Sequence, residues 1–230
     1  MSGQIVIVTG TSGSGKTTTT QTFARRAKES YLMFGMDLLV GTLFPARYTL
    51  FGDKRKEGYN DFEEDPKTPG KPLRSGYLGP MGWTAMRAMH EMVAAAARSG
   101  QNMVVDHLMF LNPPILQDCI WRLEGLPVLF VALKPPIQVL EQRLATREYV
   151  LPAPMKEAMG PNAEKAIDDH LRKVMPWYYE AAYENDCYDL VVDSSKHDPD
   201  QVCEQIERRL AQGPGTAFED LRRRYPRKAG

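Results

Sequence analysis

Several features that would point to particular partners are missing from this sequence of 230 residues. Lysine and arginine together number 29, as do aspartate and glutamate, so the formal net charge is zero. A balanced charge creates no overall field that would attract nucleic acid or an anionic membrane surface. No apolar run approaches the ~20 residues that a membrane-spanning helix needs. We therefore expect neither nucleic acid nor a membrane among the partners.

Cysteine is also scarce in this chain. The three cysteines, Cys119, Cys187 and Cys203, lie far apart and form neither a disulfide framework nor the paired spacing of a metal site. This pattern is typical of thiols in a reducing compartment. The first residues, MSGQIVIVTG, run directly into a predicted strand and lack the layout of a signal peptide. These observations predict a cytoplasmic protein.

Short apolar segments alternate with amphipathic ones along the chain. The predicted strands are QIVIVTG, a short strand ending near Phe34–Gly35, NMVVDHLMF, LPVLFVALK and YDLVVDSS. Predicted helices lie between and after them; residues 155–183 are mostly helical with a break at Pro176, and DPDQVCEQIERRLAQG is the last helix. Strands and helices at the spacing of βαβ units predict a three-layer α/β domain, with a parallel sheet of about five strands flanked by helices.

Two segments differ in composition from the rest of the predicted domain, which covers residues 1–212. Residues 48–80 are rich in glycine, proline and charge, which is typical of a surface insertion or an irregular hairpin. Residues 213–230 form a basic tail flanked by glycine and proline. We expect this tail to be frayed or docked at the periphery.

The segment GTSGSGKT, Gly10 to Thr17, fits the pattern GxxxxGK[ST] at every defined position. Its glycines let the backbone curl so that N–H groups point at phosphate oxygens, and the following helix adds its positive end. Lys16 would reach the β- and γ-phosphates, and Thr17 would hold Mg²⁺. A glycine-rich turn with a chance lysine is the alternative. The sequence thus predicts ATP and Mg²⁺ as ligands, with these nucleotide-binding residues: Gly10, Thr11, Ser12, Gly13, Ser14, Gly15, Lys16, Thr17 and Thr18.

A predicted apolar strand ends in the sequence MVVDH. An aspartate at that place is the usual companion of a P-loop, and Asp106 would orient Mg²⁺ together with Thr17. The alternative is an aspartate that merely begins a loop. His107 would lie at the mouth of the phosphate site, where it either contacts acceptor or phosphate or has a structural role.

A single carboxylate follows the second predicted strand in the segment FGMDLL. In this topology Asp37 lies close to the phosphate site and could accept a proton from an attacking hydroxyl. Aspartate is also a good residue to cap the start of a helix, and the residues alone leave the two interpretations open.

Arg143 and Arg147 are spaced four residues apart in RLATREYV, which places them on one face of a predicted helix. Two guanidinium groups closing over the phosphates would neutralise charge in the transition state, as part of a lid over residues 143–165. A solvated basic face is the alternative.

Taken in order, these segments resemble the chloramphenicol phosphotransferase family of small P-loop kinases over residues 1–210. FGMDLL resembles the family's FGxDxL segment, EQRLATRE its lid arginines and YDLVVDSS its closing βα unit. The resemblance implies transfer of phosphate from ATP to a hydroxyl of a small molecule, with Asp37 as the base and the loop VDSSKHD near the nucleotide base. His107 departs from the family, which usually has a second carboxylate there.

Other acceptors and another class of protein stay open at this stage. A nucleoside, a sugar or a shikimate-type compound could be the acceptor in place of an antibiotic-like molecule. A nucleotide-binding switch that hydrolyses ATP or GTP slowly is a further alternative, although the NKxD motif usual in GTPases is missing. The oligomeric state does not follow from the sequence.

Overall fold

The computed structural model describes residues 2–49, 52–60, 63–74, 77–147, 150, 156 and 160–227. The strands, numbered in chain order, are β1 (Ile5–Thr9), β2 (Tyr31–Gly35), β3 (Glu64–Asp65), β4 (Thr68–Pro72), β5 (Asn102–His107), β6 (Val128–Leu133) and β7 (Leu190–Val192). The helices are α1 (Lys16–Arg26), α2 (Met36–Leu38), α3 (Pro80–Arg98), α4 (Ile115–Arg122), α5 (Ile137–Thr146), α6 (Ala163–Ala182), α7 (Pro199–Leu210) and α8 (Ala217–Arg224). A single π-helical turn, Leu39–Leu43, and a 3₁₀ turn, Ala46–Tyr48, follow α2.

Five of these strands form one parallel sheet in the order β2-β5-β1-β6-β7, which confirms the predicted fold class. Every residue of β1 and of β6 is buried, as expected for central parallel strands that are covered on both faces. The edge strands β2 and β7 leave Leu32 and Val191 exposed. Since the strands run in one direction, the residues that follow β1, β2 and β5 meet at the same edge of the sheet.

Alternate residues of the central strands point to opposite faces of the sheet and build two cores. Ile5, Ile7 and Val105 pack with α3, α4, α6 and α8 on one face. Val6 and Val8 pack with α1 and α7 on the other. The architecture is therefore helix, sheet, helix in three layers.

The predicted break at Pro176 is wrong, because α6 continues through this residue to Ala182. Its neighbours Met175 and Trp177 are both buried at 1% exposure. Packing on both sides of the proline holds the helix despite the backbone hydrogen bond that proline cannot donate.

The prediction that α7 is the last helix is also wrong, since α8 follows it. Asp189 anchors the start of α8 by accepting hydrogen bonds from the N–H groups of Thr216 (2.7 Å) and Ala217 (3.0 Å). Phe218 and Leu221 are buried in the same core as α4. Packing therefore continues past residue 212, where the sequence predicted a domain to end, and this part of the basic tail is docked.

The predicted insertion contains the antiparallel hairpin β3–β4, but it does not lie wholly on the surface. Tyr59, Tyr77 and Leu78 are buried against α3 and α6, with Tyr77 fully inaccessible. The segment thus contributes aromatic side chains to the core, which its charged and proline-rich composition concealed. Among the described helices, none is long and apolar enough to cross a membrane.

Candidate active site

The loop between β1 and α1 takes a shape that requires glycine. Gly13 and Gly15 have φ angles of 79° and 91°, in the left-handed region that favours glycine. A Cβ on Gly10 would come within 2.7 Å of both the Leu133 carbonyl oxygen and Ser14 Oγ. Helix α1 begins at Lys16, so its positive end faces the loop. This is the local geometry predicted for a phosphate-binding loop.

Lys16 is half-buried at the start of α1 and donates a hydrogen bond from Nζ to the Thr11 carbonyl, at 2.9 Å. Burial lowers the pKa of the Lys16 ammonium, while the nearby carboxylates of Asp106 and Asp37 oppose that shift. The ammonium therefore lies between the loop backbone and two acidic side chains. An anion in the loop would be a better partner for it than the carbonyl.

Asp106 is the second-last residue of β5 and lies beside the start of α1. Thr17 Oγ1 donates to one carboxylate oxygen at 3.2 Å, and the Met36 N–H donates to the other at 3.2 Å. A Cβ on Gly35 would lie 2.1 Å from this carboxylate, so the close approach requires glycine at that position. Burial, and then the charge of Asp37, raise the pKa of Asp106 to about 6. A hydroxyl and a desolvated carboxylate that share this spot are the oxygen ligands that Mg²⁺ prefers, so the residues fit a metal site.

Asp37 is exposed and lines the same cavity as Lys16 and Thr17, which has a volume of about 690 Å³. It is the second residue of α2, and Gly35 stands at the position that precedes the helix. The capping interpretation of Asp37 is therefore wrong. Its side chain is free to meet a molecule that enters the cavity.

Arg143 and Arg147 both line this cavity, but they do not share a helical face. Helix α5 ends at Thr146, and Arg147 follows with an extended backbone, so that part of the prediction is wrong. Arg143 donates from its two terminal nitrogens to the carbonyls of Gly13 (3.0 Å) and Ser194 (2.8 Å). Of the predicted lid, residues 148, 149, 151–155 and 157–159 lie outside the described residues.

Two further contacts to the loop were not predicted from the sequence. Ser194 Oγ donates to the Ser14 carbonyl at 2.7 Å. The Tyr183 hydroxyl donates to the Leu133 carbonyl and accepts from the Thr11 N–H at 3.4 Å. The loop after β7 was expected near the nucleotide only by resemblance, and nothing in the sequence around Tyr183 signalled its contact. Its side chain joins the phosphate loop to the end of β6.

An apolar region includes Met36, the residue before Asp37, and residues of the π-helical turn. Its lining is almost wholly hydrophobic and comes from four separate parts of the chain: Met36, Leu39, Val40, Phe44, Tyr59, Leu78, Gly82, Ala85 and Met86. Behind it, the rings of Tyr77, Phe110 and Trp177 pack with centroids 5.2–5.9 Å apart. We refer to this lining and its aromatic backing as the apolar region.

His107 does not face the phosphate loop, contrary to one hypothesis from the sequence. The side chain points to the opposite face of the sheet from Asp106 and is 1% exposed. One ring nitrogen accepts a hydrogen bond from the Leu108 N–H at 2.8 Å, and the other lies 2.9 Å from Nε2 of His90. Both nitrogens are therefore occupied within the protein.

Comparison with known proteins agrees with this geometry. A search of curated proteins finds no match. An unliganded sugar kinase from a Janibacter species is similar in structure, with a TM-score of 0.53, 19% identity, and coverage of 93% of this chain and 97% of that one. The APS kinase of Mycobacterium tuberculosis, solved with AMPPNP and APS, has a TM-score of 0.54 and 14% identity over 91% of this chain and 98% of its own. At these identities the likeness shows a shared P-loop kinase fold. The family model described as "Chloramphenicol phosphotransferase-like protein" matches residues 3–211. The chain belongs to the chloramphenicol phosphotransferase-like family.

Proposed function

We propose that this protein is an ATP-dependent phosphotransferase that moves the γ-phosphate to a hydroxyl of a small organic molecule. The observation that carries the proposal is the cavity in which an exposed carboxylate, Asp37, lies together with Lys16 and the phosphate-type loop. Membership of the family supports the same reaction class. An antibiotic-like compound is the acceptor that the family suggests.

The loop from Gly10 to Thr18 would bind the phosphates through its N–H groups, and Lys16 would neutralise charge on the phosphoryl group in transit. Arg143 and Arg147 line the same cavity and would add positive charge from the other side. Thr17 and Asp106 would hold Mg²⁺. When bound, Mg²⁺ neutralises charge on the β- and γ-phosphate oxygens.

Asp37 would act as the general base on the acceptor. As the acceptor oxygen forms its bond to the γ-phosphorus, the hydroxyl proton passes to the Asp37 carboxylate. The bond between the γ-phosphorus and the bridging oxygen breaks, and that oxygen leaves as part of ADP. Asp37 then returns the proton to water, which restores the carboxylate.

The test begins with a screen of ATP consumption against hydroxylated antibiotics, sugars and nucleosides, which identifies the acceptor. Asp37→Asn keeps the shape of the side chain and removes its proton affinity. We expect acceptor phosphorylation to fall by roughly 10²–10⁴-fold with nucleotide affinity unchanged. Single-turnover phosphorylation and nucleotide titration measure the two quantities.

Glu29→Gln is the matched control, because Glu29 is exposed in the connection between α1 and β2, away from the cavity. This variant should match the wild type in both measurements. Full activity of Asp37→Asn would contradict the role of Asp37. Nucleotide binding that no hydroxylated compound converts into turnover would contradict the kinase proposal and favour a switch module.

A further inference from the structure

Two buried histidines meet end to end inside the core on the α3 side of the sheet. His107 is the last residue of β5 and His90 lies in α3, and each is 1% exposed. Their Nε2 atoms are 2.9 Å apart. Nδ1 of His90 is 2.7 Å from the carboxylate of Asp118 in α4. We refer to the Leu108 amide, His107, His90 and Asp118 as the histidine chain.

The hydrogen bonds of the histidine chain indicate which ring nitrogens carry protons. The Asp118 carboxylate can only accept, so His90 carries a proton on Nδ1 and donates it to Asp118. With one proton on each ring, Nε2 of His90 accepts the proton of Nε2 of His107. Nδ1 of His107 lies 2.8 Å from the Leu108 nitrogen and 3.1 Å from the Leu108 oxygen, and in this arrangement it accepts from the Leu108 N–H. Both rings are neutral in this arrangement, and burial lowers the pKa of both, which agrees with it.

The outer end of the histidine chain is fixed near the surface. Asp118 accepts a hydrogen bond from Nε of Arg122 at 2.8 Å, and Nε of Arg87 lies 3.7 Å from its second oxygen. Asp118 is 16% exposed in its side chain, whereas both rings are enclosed. A continuous run of hydrogen bonds thus leads from an ion pair on helix α4 to the end of strand β5.

The inner end of the chain adjoins the candidate metal site. His107 directly follows Asp106, and the two side chains point to opposite faces of the sheet. His107 and the Leu108 amide hold the backbone on one side of Asp106. On the other side, the Asp106 carboxylate receives Thr17 and the Met36 N–H.

Packing alone does not account for two imidazole rings at these positions. Buried polar groups cost free energy unless every one is hydrogen-bonded, and apolar side chains would fill the same volume without that cost. The surrounding core on α3 is made of residues such as Met86, Met89 and Val93. A fully satisfied polar network in that setting gives rigidity and a fixed orientation.

We propose that His107 and His90 are positioning residues that hold the end of β5, and with it the Asp106 carboxylate, in the orientation that binds the metal together with Thr17. The inference rests on the proposed function only in taking Asp106 and Thr17 as the groups that hold Mg²⁺. Neither histidine contacts the nucleotide or the acceptor in this role.

The experiment uses the whole protein and a fluorescent ATP analogue, so that no acceptor is needed. Mg²⁺ is titrated into the protein with the analogue, and the midpoint of the Mg²⁺-dependent increase in binding is measured. For His107→Phe, which keeps an aromatic ring but no nitrogen, we expect the midpoint to rise about tenfold. This is the low end of the range for groups that orient metal ligands from outside the metal's first shell. Affinity for the metal-free analogue should not change.

Met89→Ala is the matched control for lost core packing, since Met89 neighbours His90 on α3 and is fully buried. This variant should lower the melting temperature without moving the Mg²⁺ midpoint. If His107→Phe lowers the melting temperature and leaves the midpoint unchanged, the histidines are structural only and the proposal is overturned.

A second pair of variants tests the histidine chain from its outer end, at Asp118. Asn at position 118 can still accept from Nδ1 of His90, so Asp118→Asn should stay close to the wild-type midpoint. Asp118→Leu removes the acceptor and should raise the midpoint. The double variant with His107→Phe should go no higher than His107→Phe alone, because the chain is already broken. Equal midpoints for Asp118→Asn and Asp118→Leu would overturn the proposal even if His107→Phe does not fold.

The result also separates this proposal from the proposed function. A wild-type protein that shows Mg²⁺-dependent nucleotide binding but phosphorylates no hydroxyl would contradict the function and leave the positioning role in force. A wild-type protein whose nucleotide binding ignores Mg²⁺ would overturn the positioning role.

Discussion

The phosphate loop and the apolar region are built in different ways. The loop is one stretch of eight residues whose backbone conformation does the binding, with Gly13 and Gly15 in left-handed geometry. The apolar region is assembled from side chains that are up to 141 positions apart, such as Met36 and Trp177. A phosphate is the same in every substrate, so a fixed backbone cradle suffices. Side chains from separate segments can change one at a time, so such a region can vary where a backbone loop cannot.

This difference predicts that damage to the loop affects every acceptor alike. Lys16→Ala should lower turnover by about 10³-fold or more with any acceptor, because it removes charge stabilisation from the phosphoryl group in transit. Steady-state rates with two unlike acceptors, together with a melting curve, provide the measurement. Lys28→Ala, at an exposed position just beyond α1, is the control. A loss of turnover with only one of the two acceptors would contradict this prediction.

A smaller effect is expected where α5 and the loop after β7 grip the phosphate loop. Arg143→Ala removes the hydrogen bonds to the carbonyls of Gly13 and Ser194. Losing them should weaken ATP binding about tenfold, which is about 1.4 kcal/mol and in the range for hydrogen bonds from a charged group. Arg143→Lys should recover little, since an ammonium cannot reproduce the two-nitrogen contact. The KM values for ATP and for the acceptor provide the measurement. An acceptor KM that changes as much as the ATP KM would contradict an effect specific to ATP binding.

Beside the phosphate loop, the buried carboxylate of Asp106 makes the stability of the protein depend on pH. Burial and the neighbouring Asp37 raise the pKa of Asp106 to about 6 from an ordinary value of 3.8. A raised pKa means that the folded protein binds this proton more tightly than the unfolded chain. The contribution of Asp106 to stability is therefore greatest below about pH 4 and is lost as the pH rises through about 6, by on the order of 2–3 kcal/mol.

Asp106→Asn does not titrate and should be more stable than the wild type at pH 7 by a similar amount, while losing Mg²⁺-dependent binding. Denaturant unfolding of both proteins at pH 4 and pH 7, without nucleotide, gives the difference. Lys16, Thr17 and the Met36 N–H also face this carboxylate and are unchanged between the two proteins. A difference in unfolding free energy that stays constant with pH would contradict the raised pKa of Asp106.

The smallest effect is expected at the hairpin beside the apolar region. Glu64 on β3 pairs with Lys173, and Lys71 on β4 pairs with Glu180, so two ion pairs join the hairpin to α6. All four side chains are well exposed, and exposed pairs contribute about 0–1 kcal/mol. Glu64→Gln should therefore leave the melting temperature and the ATP KM almost unchanged. A large loss of stability would show that ion pairs, and not the buried Tyr77 and Leu78, hold the insertion.

The contrast between a local loop and a region built from distant residues also explains which features could be predicted from the sequence. The strands were predictable because β-branched runs such as IVIV are typical of buried parallel strands, and the phosphate loop because its spacing determines its backbone shape. Asp106 and Asp37 could be expected at one edge of the sheet because Asp106 lies near the end of β5 and Asp37 follows β2. Helix α8 was missed because Phe218 and Leu221 are only two large apolar residues among many charges.

Contacts between distant residues were beyond the reach of sequence patterns. Tyr183 is 172 positions from Thr11, and Ser194 is 51 from Arg143, so no local periodicity links either pair. The extended backbone at Arg147 depends on where α5 stops. Within the insertion, the burial of Tyr77 depends on rings from α6 and from the segment after β5, and only Leu78 among its nearest sequence neighbours is a large apolar residue.

The placement of Trp177 gives the molecule a built-in optical reporter. This indole is 1% exposed and packs against Tyr77 and Phe110. The other two tryptophans, Trp83 and Trp121, are partly accessible and each lies beside an arginine. Among the described residues, no tryptophan lines the cavity with the phosphate loop. We therefore expect intrinsic fluorescence to respond little to nucleotide at the phosphate loop and strongly to any repacking of the rings around Trp177.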